Sequence, residues 1–333
     1  MHLFALASFL ALTPSALSAP HVTDEDYATF IDKTAEFLAN ADGCAGAGGP
    51  GGAPGPNRSE PSGSGGGGAS LVDEFNRPNN LGLCGFRIDG FNFNEQGTAV
   101  NMTIADKLAL GSIATLDACG GPTIRWFPGR DDLPDLVDPD VVNPDGLLPS
   151  PRDSYEVVVS KFKHRAIGGA HPRGPFEPAG LLIDLSIFFN PCSGIHAANN
   201  PALTSEPFVP FDSTPGVFDN DVFKQVLKGY CPLPFDCEMA EDPAIRPTIK
   251  TFAVNQSLFF KAYSMAFEKF LNLTVSPLTH SLSHAVDPKL VASATTNSSA
   301  FPFNRVTLKP LAPLPTAPGP ATATLCPLGP NAP

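Results

Sequence analysis

Residues 210 to 229 read Pro-Phe-Asp-Ser-Thr-Pro-Gly-Val-Phe-Asp followed by NDVFKQVLKG, and this stretch decides the reading of the chain. Its first half sets Asp212, the hydroxyl and carbonyl of Thr214, the Val217 carbonyl and Asp219 around a Pro-Gly turn. Hard oxygens at such short spacing are the donors a flexible Ca²⁺ shell takes. Its second half predicts a helix over 221–228, so a capped turn leading into a helix is the plainer reading of the same residues.

Working outward, apolar residues recur at helical spacing. Asp24 to Ala39 places Tyr27, Phe30, Ile31, Ala35 and Leu38 on one face behind the acidic start Asp24, Glu25, Asp26. Helices are also predicted over 105–118, 154–162 and 178–188. A longer one is predicted over 247–271, with Phe252, Phe259, Phe260, Tyr263, Phe267 and Phe270 as an aromatic core stripe. Residues 43–69 are dominated by Gly, Pro, Ser and Ala and predict a flexible loop, and residues 274–333 an irregular Pro-rich segment over the helical body. The expected fold class is mainly α, as one domain over 19–333 with long loops.

With 333 residues the chain can bury a large core, and its net charge of −12 argues against nucleic acid or an anionic membrane as partner. The apolar run Leu3 to Leu12 and the small residues Ala16 and Ser18 predict a signal peptide over 1–18. Sequons at Asn57, Asn101, Asn255, Asn272 and Asn297 point the same way, to a secreted glycoprotein. Seven cysteines without a C-x-x-C pair predict up to three disulfides rather than a zinc ribbon, and their spacing leaves the connectivity open.

The stretch 210–229 resembles the proximal calcium loop of class II fungal secreted haem peroxidases, the lignin-degrading type. NMTIADKLALGSIATLDACGGPTIRWFPGR at 101–130, PDGLLPSP at 144–151 and PFEPAGLLIDLS at 175–186 are similar to the same family, in the same order. The resemblance implies two helical lobes around a haem b pocket, bound Ca²⁺, hydrogen peroxide as oxidant, phenolic or lignin-like donors and a monomer. It implies that the last of these helices delivers the histidine that ligates the iron. Counting back from Asp212 puts His196 there, whereas ungapped extension from Pro178 puts Phe188.

FDCEMAEDP at 235–243 resembles the segment in which an Asp accepts the ring N–H of that histidine, which falls on Asp236; a helix-capping Asp is the alternative. The resemblance further implies Ala197, through its backbone, as a proximal calcium ligand. Gly68 and Ser70 would be remnants of a distal calcium site, and Cys44–Cys119 a disulfide. Trp126 is read as packing.

The pattern breaks on the peroxide side. The family's R-x-x-F-H-D helix, with its distal Arg and His, has no counterpart, since no histidine stands between His21 and His164. Three readings follow: a peroxide-dependent peroxidase, a non-catalytic or truncated relative that keeps the proximal Ca²⁺ site, and an extracellular metal-binding protein built on His280 and His284, four residues apart.

Overall fold

The computed structural model describes residues 22–40, 44, 58–59, 65–66, 102–130, 153–164, 194–196, 208–214, 216–231, 233–272, 278, 280–296 and 309. Residues 1–18, the helix expected over 178–188, most of the Gly/Pro-rich stretch and most of the C-terminal segment lie outside them. Among the described residues the protein is mostly helical. Its helices are α1 (Asp24–Asn40), α2 (Ile104–Ala118), α3 (Tyr155–His164), α4 (Asp221–Val226), α5 (Pro234–Glu241), α6 (Arg246–Val254), α7 (Gln256–Leu271) and α8 (Pro288–Thr296). Two short antiparallel ladders accompany them, β1 (Arg58–Ser59) with β2 (Gly65–Gly66) and β3 (Gly194–His196) with β4 (Phe208–Pro210).

One layer is α1 packed on α2 and α8. The face of α1 expected from spacing is the buried one, with Phe30, Ile31, Ala35 and Leu38 inside. Thr103 caps α2 by accepting from the Asp106 N–H at 3.1 Å. The other end of α2 closes as a Schellman turn: the N–H groups of Gly120 and Gly121 return to the carbonyls of Asp117 (3.0 Å) and Leu116 (2.9 Å), with Gly120 at φ 85°. The Cys44–Cys119 disulfide, Cα–Cα 5.6 Å, ties this end to the segment after α1. A second disulfide, Cys231–Cys237, which the spacing alone left open, leads into α5.

A second group holds α3 to α7, with α4 on α6, α3 on α5 and α6 on α7. Here two expectations are corrected. The helix predicted over 247–271 is two helices, because Asn255 leaves helical geometry (φ −135°, ψ 87°) and its side chain accepts the Leu258 N–H at 3.0 Å, the cap at which Asn competes best with a continuous helix. The C-terminal segment expected to be irregular carries α8, started at Pro288. Phe252, Phe259, Tyr263 and Phe267 are buried as the stripe predicted.

Residues 121–130 strap the two groups together. Trp126 exchanges backbone hydrogen bonds with Leu282 (2.8 and 2.9 Å) and sits edge-on to Tyr27, which is packing as expected. At the strap's end the Arg130 side chain is 1% exposed and pairs with Asp106, 6% exposed, at 3.0 Å. The guanidinium also donates to the carbonyls of Phe127 and Leu271, both at 2.6 Å, and lies over the Trp126 ring at 4.6 Å. Asp106 accepts the N–H groups of Gly129 (2.9 Å) and Arg130 (3.2 Å) as well. Burial raises the Asp106 carboxyl and lowers the guanidinium, and each draws the other back toward its charged form.

Arg130→Ala strands a buried carboxylate and is expected to cost about 3–5 kcal/mol in urea unfolding, while Arg130→Met combined with Asp106→Leu recovers most of it. Equal losses in the single and double variants would refute this account of the strap.

Candidate functional site

The site residues read from the sequence fall in two places. Asp212, Thr214, Val217 and Asp219 share the loop before α4. The Thr214 hydroxyl lies 3.0 Å from Asp219 Oδ2 and 3.4 Å from Asp212 Oδ1, and the Thr214 N–H donates to that same Asp212 oxygen at 2.8 Å. Gly216 takes φ 86°, which a side chain would resist, and lets the Val217 N–H return to the Thr214 carbonyl at 3.0 Å.

Asp221, which the sequence reading did not single out, turns away from this group. It accepts from the Ser213 backbone N–H at 3.0 Å and from Gln225 Nε2 at 2.8 Å, and those donors hold its carboxyl below the ordinary range in spite of burial. Asp212 has the opposite environment: burial, then the facing Asp219, push it up to about 7.

This donor set fits a hard cation. Oxygens 3.0 to 3.4 Å apart are spaced like neighbours in a shell with ligand distances of about 2.3–2.6 Å. Only Asp212 and Asp219 contribute carboxylates, so among the described residues no group of three His, Cys, Asp or Glu is arranged to hold a metal. Hydroxyl and carbonyl oxygens would supply the rest, which suits Ca²⁺ rather than zinc. The loop is fixed from both sides. The Phe218 N–H donates to the Cys119 carbonyl at 2.8 Å, and its ring meets Tyr263 edge-on at 4.7 Å. Asn220 caps the end of α6 through the carbonyls of Phe252 (2.8 Å) and Ala253 (3.1 Å).

Asp236 stands in the first turn of α5, 7% exposed. The Leu233 backbone bonds to its carboxylate, the reach of an N3 acid to the cap residue, and burial pushes the carboxyl up to about 7. Among the described residues one backbone donor bonds to it, which leaves acceptor capacity for an incoming ring N–H.

His196 lies on a strand, not on the helix that the resemblance implies. It closes β3 opposite Phe208, and the nearby Pro191 and Gly194 are residues that do not propagate a helix. Ala197, Gly68 and Ser70 lie outside the described residues. His280 and His284 each face a carboxylate of α1: His280 Nε2 lies 2.6 Å from Asp24 and His284 Nε2 3.0 Å from Asp32. They pin the segment before α8, and among the described residues they belong to no metal-holding cluster.

No protein-family model matches the chain. Over 221 residues, 65% of this chain and 70% of the relative, it is 30% identical to the peroxisomal L-ascorbate peroxidase 5 of Arabidopsis thaliana. A protein described as a heme-binding peroxidase in Aspergillus fumigatus is 29% identical over 65% of this chain and 69% of its own length. The mitochondrial cytochrome c peroxidase of Yarrowia lipolytica is 28% identical, with about half of each chain covered (51% and 50%).

These relatives correct two expectations. They are of the ascorbate and cytochrome c peroxidase type rather than secreted class II enzymes, and those named with a compartment are peroxisomal or mitochondrial, which overturns the reading of a secreted, extracellular protein. A mostly helical body matched to an ascorbate peroxidase over 70% of that enzyme's length places the chain in the haem peroxidase family, oxidoreductases that act on peroxide.

Proposed function

We propose that this chain binds haem b through His196, with Asp236 accepting the ring N–H, and uses hydrogen peroxide to oxidise small donors one electron at a time. The observation that carries the reading is Asp236, a carboxylate buried in the first turn of α5 with a backbone partner and spare acceptor capacity. Haem supplies the iron at which peroxide is reduced, two donors each giving one electron and two protons completing two waters. Asp236 would orient the imidazole and make it more electron-rich. The 212–219 loop would hold Ca²⁺ through Asp212, Thr214, Val217 and Asp219, with Ala197 adding a carbonyl, and so brace the start of α4.

The donor is read as a small phenol, which the 210–229 resemblance implies. Ascorbate is the second reading, favoured by the relative of that name. With no histidine between His21 and His164, the proton transfer that an imidazole performs on peroxide is not supplied from that stretch. Positioned acid–base catalysis contributes about 10²–10⁴-fold, so reaction with peroxide is expected to be slower by about that factor than with such a group in place.

Stopped-flow absorbance of the haem-loaded chain, with guaiacol and ascorbate as competing donors, measures both rate and preference. Haem uptake surviving in His196→Ala would remove the ligand assignment. For calcium, Asp219→Asn is expected to weaken binding in calorimetry by at least about tenfold, because one of two ligand charges is lost; unchanged affinity would dismiss the site.

Asp212 and Asp236 also predict a pH dependence. Both are raised to about 7, so the protein free of haem and calcium holds protons there that the unfolded chain releases above about 4. Their contribution to stability is complete below that lower value and is lost as pH rises through about 7. Tm of the ligand-free protein should fall across this window, and Asp212→Asn with Asp236→Asn should flatten the slope.

A further inference from the structure

We propose that Tyr155 is the positioning residue for Asp236: it grips one face of α5 and so sets the direction in which that carboxylate points. The inference rests on the reading of Asp236 as the acceptor of the iron ligand's ring N–H.

Tyr155 opens α3, which packs on α5. Its ring lies against Phe235 with centroids 5.7 Å apart, its backbone N–H donates to Glu238 Oε2 at 2.5 Å, and its hydroxyl donates to Asp242 Oδ2 at 2.6 Å. Phe235, Glu238 and Asp242 are spaced i, i+3, i+7, which is a single helical face. One residue therefore touches that face near the first turn, in the middle and at the end.

A turn of α5 about its own axis would break all three contacts together. Asp236 follows Phe235 and so projects about 100° around the helix from the gripped face. Its direction is fixed once that face is fixed. The hydroxyl is a durable donor: burial, and then its bond to Asp242, raise the phenol well above its ordinary value, while the same bond lowers Asp242. The geometry of a carboxylate toward a metal-bound imidazole governs how electron-rich that ring becomes, and loss of such an outer partner costs about 10–100-fold in metal affinity or activity.

The test uses the full chain loaded with haem. Resonance Raman of the ferrous protein reads the iron–imidazole stretch, and redox titration reads the midpoint potential. Asp236→Asn defines both values without the carboxylate. Tyr155→Phe removes the hydroxyl bond but keeps the ring and the backbone bond, and Asp242→Asn weakens the same contact from the helix side.

Both variants are expected to move the stretch to lower frequency and the potential to more positive values, toward Asp236→Asn. Val157→Ala, on the exposed face of α3, should leave both unchanged. If Asp236→Asn shifts the band while Tyr155→Phe and Asp242→Asn change only Tm, Tyr155 is merely structural and the proposal is overturned, with the reading of Asp236 intact. If Asp236→Asn itself leaves the band in place, that reading falls and the proposal falls with it. Should Tyr155→Phe not load haem, Asp242→Asn alone decides.

Discussion

The structure depends on a cation buried among oxygens. Arg130 reaches Asp106 on α2, the Phe127 carbonyl in its own strap and the Leu271 carbonyl at the end of α7, so a single guanidinium joins the two helical groups. An Arg suits this junction because its planar fork can satisfy acceptors in several directions at once, which the point charge of a Lys does not do. The Leu271 carbonyl belongs to the last turn of α7, where helix carbonyls lack intrahelical partners. Arg130 thereby completes that helix end in the act of pairing Asp106.

With the strap fixed, the loop before α4 has one place to go. A Cβ on Gly121 would meet the Leu116 carbonyl at 2.7 Å and the Phe218 ring at 3.0 Å, so the glycine lets Phe218 press against the end of α2. Phe218 in turn packs on Phe259 and Tyr263 of α7, and Asn220 closes α6. Asp212 and Asp219 are thus held together by aromatic packing and helix capping rather than by mutual attraction. That arrangement explains how two like charges stay close enough to raise Asp212.

Much of this was legible. The helices α1, α2 and α3 follow from apolar spacing, and α2 is bracketed by Thr103 and the glycine pair, both ordinary end signals. The loop oxygens were visible as a string of Asp and Thr around Pro-Gly. Other features were not visible, for identifiable reasons. Nothing local distinguishes Asn255 as a helix break from an Asn on a helix surface, because the decision rests on its side chain bonding to Leu258. Arg130 reads as a surface charge until Asp106, 24 residues earlier, is known to face it. Tyr155 is one more apolar-face residue by spacing, and its grip on α5 depends on partners more than 80 residues away. His196 was reached by counting back from Asp212, and the strand it closes rests on pairing with Phe208, a partner that no local spacing announces.

Asp212, Asp219 and Asp236 share a further property: burial raises all three toward the neutral form. A carboxyl raised in this way is a weaker ligand and acceptor until a positive partner arrives, because that partner must offset the cost of keeping it ionised. On the proposed reading, Ca²⁺ does this for Asp212 and Asp219, and an imidazole polarised by iron does it for Asp236. Binding would then draw these carboxyls toward their ionised form. The Phe218 and Asn220 contacts tie the loop to α6 and α7, while Tyr155 ties α5 to α3. The two places share no helix, and they meet where α5 packs on α4 and α6.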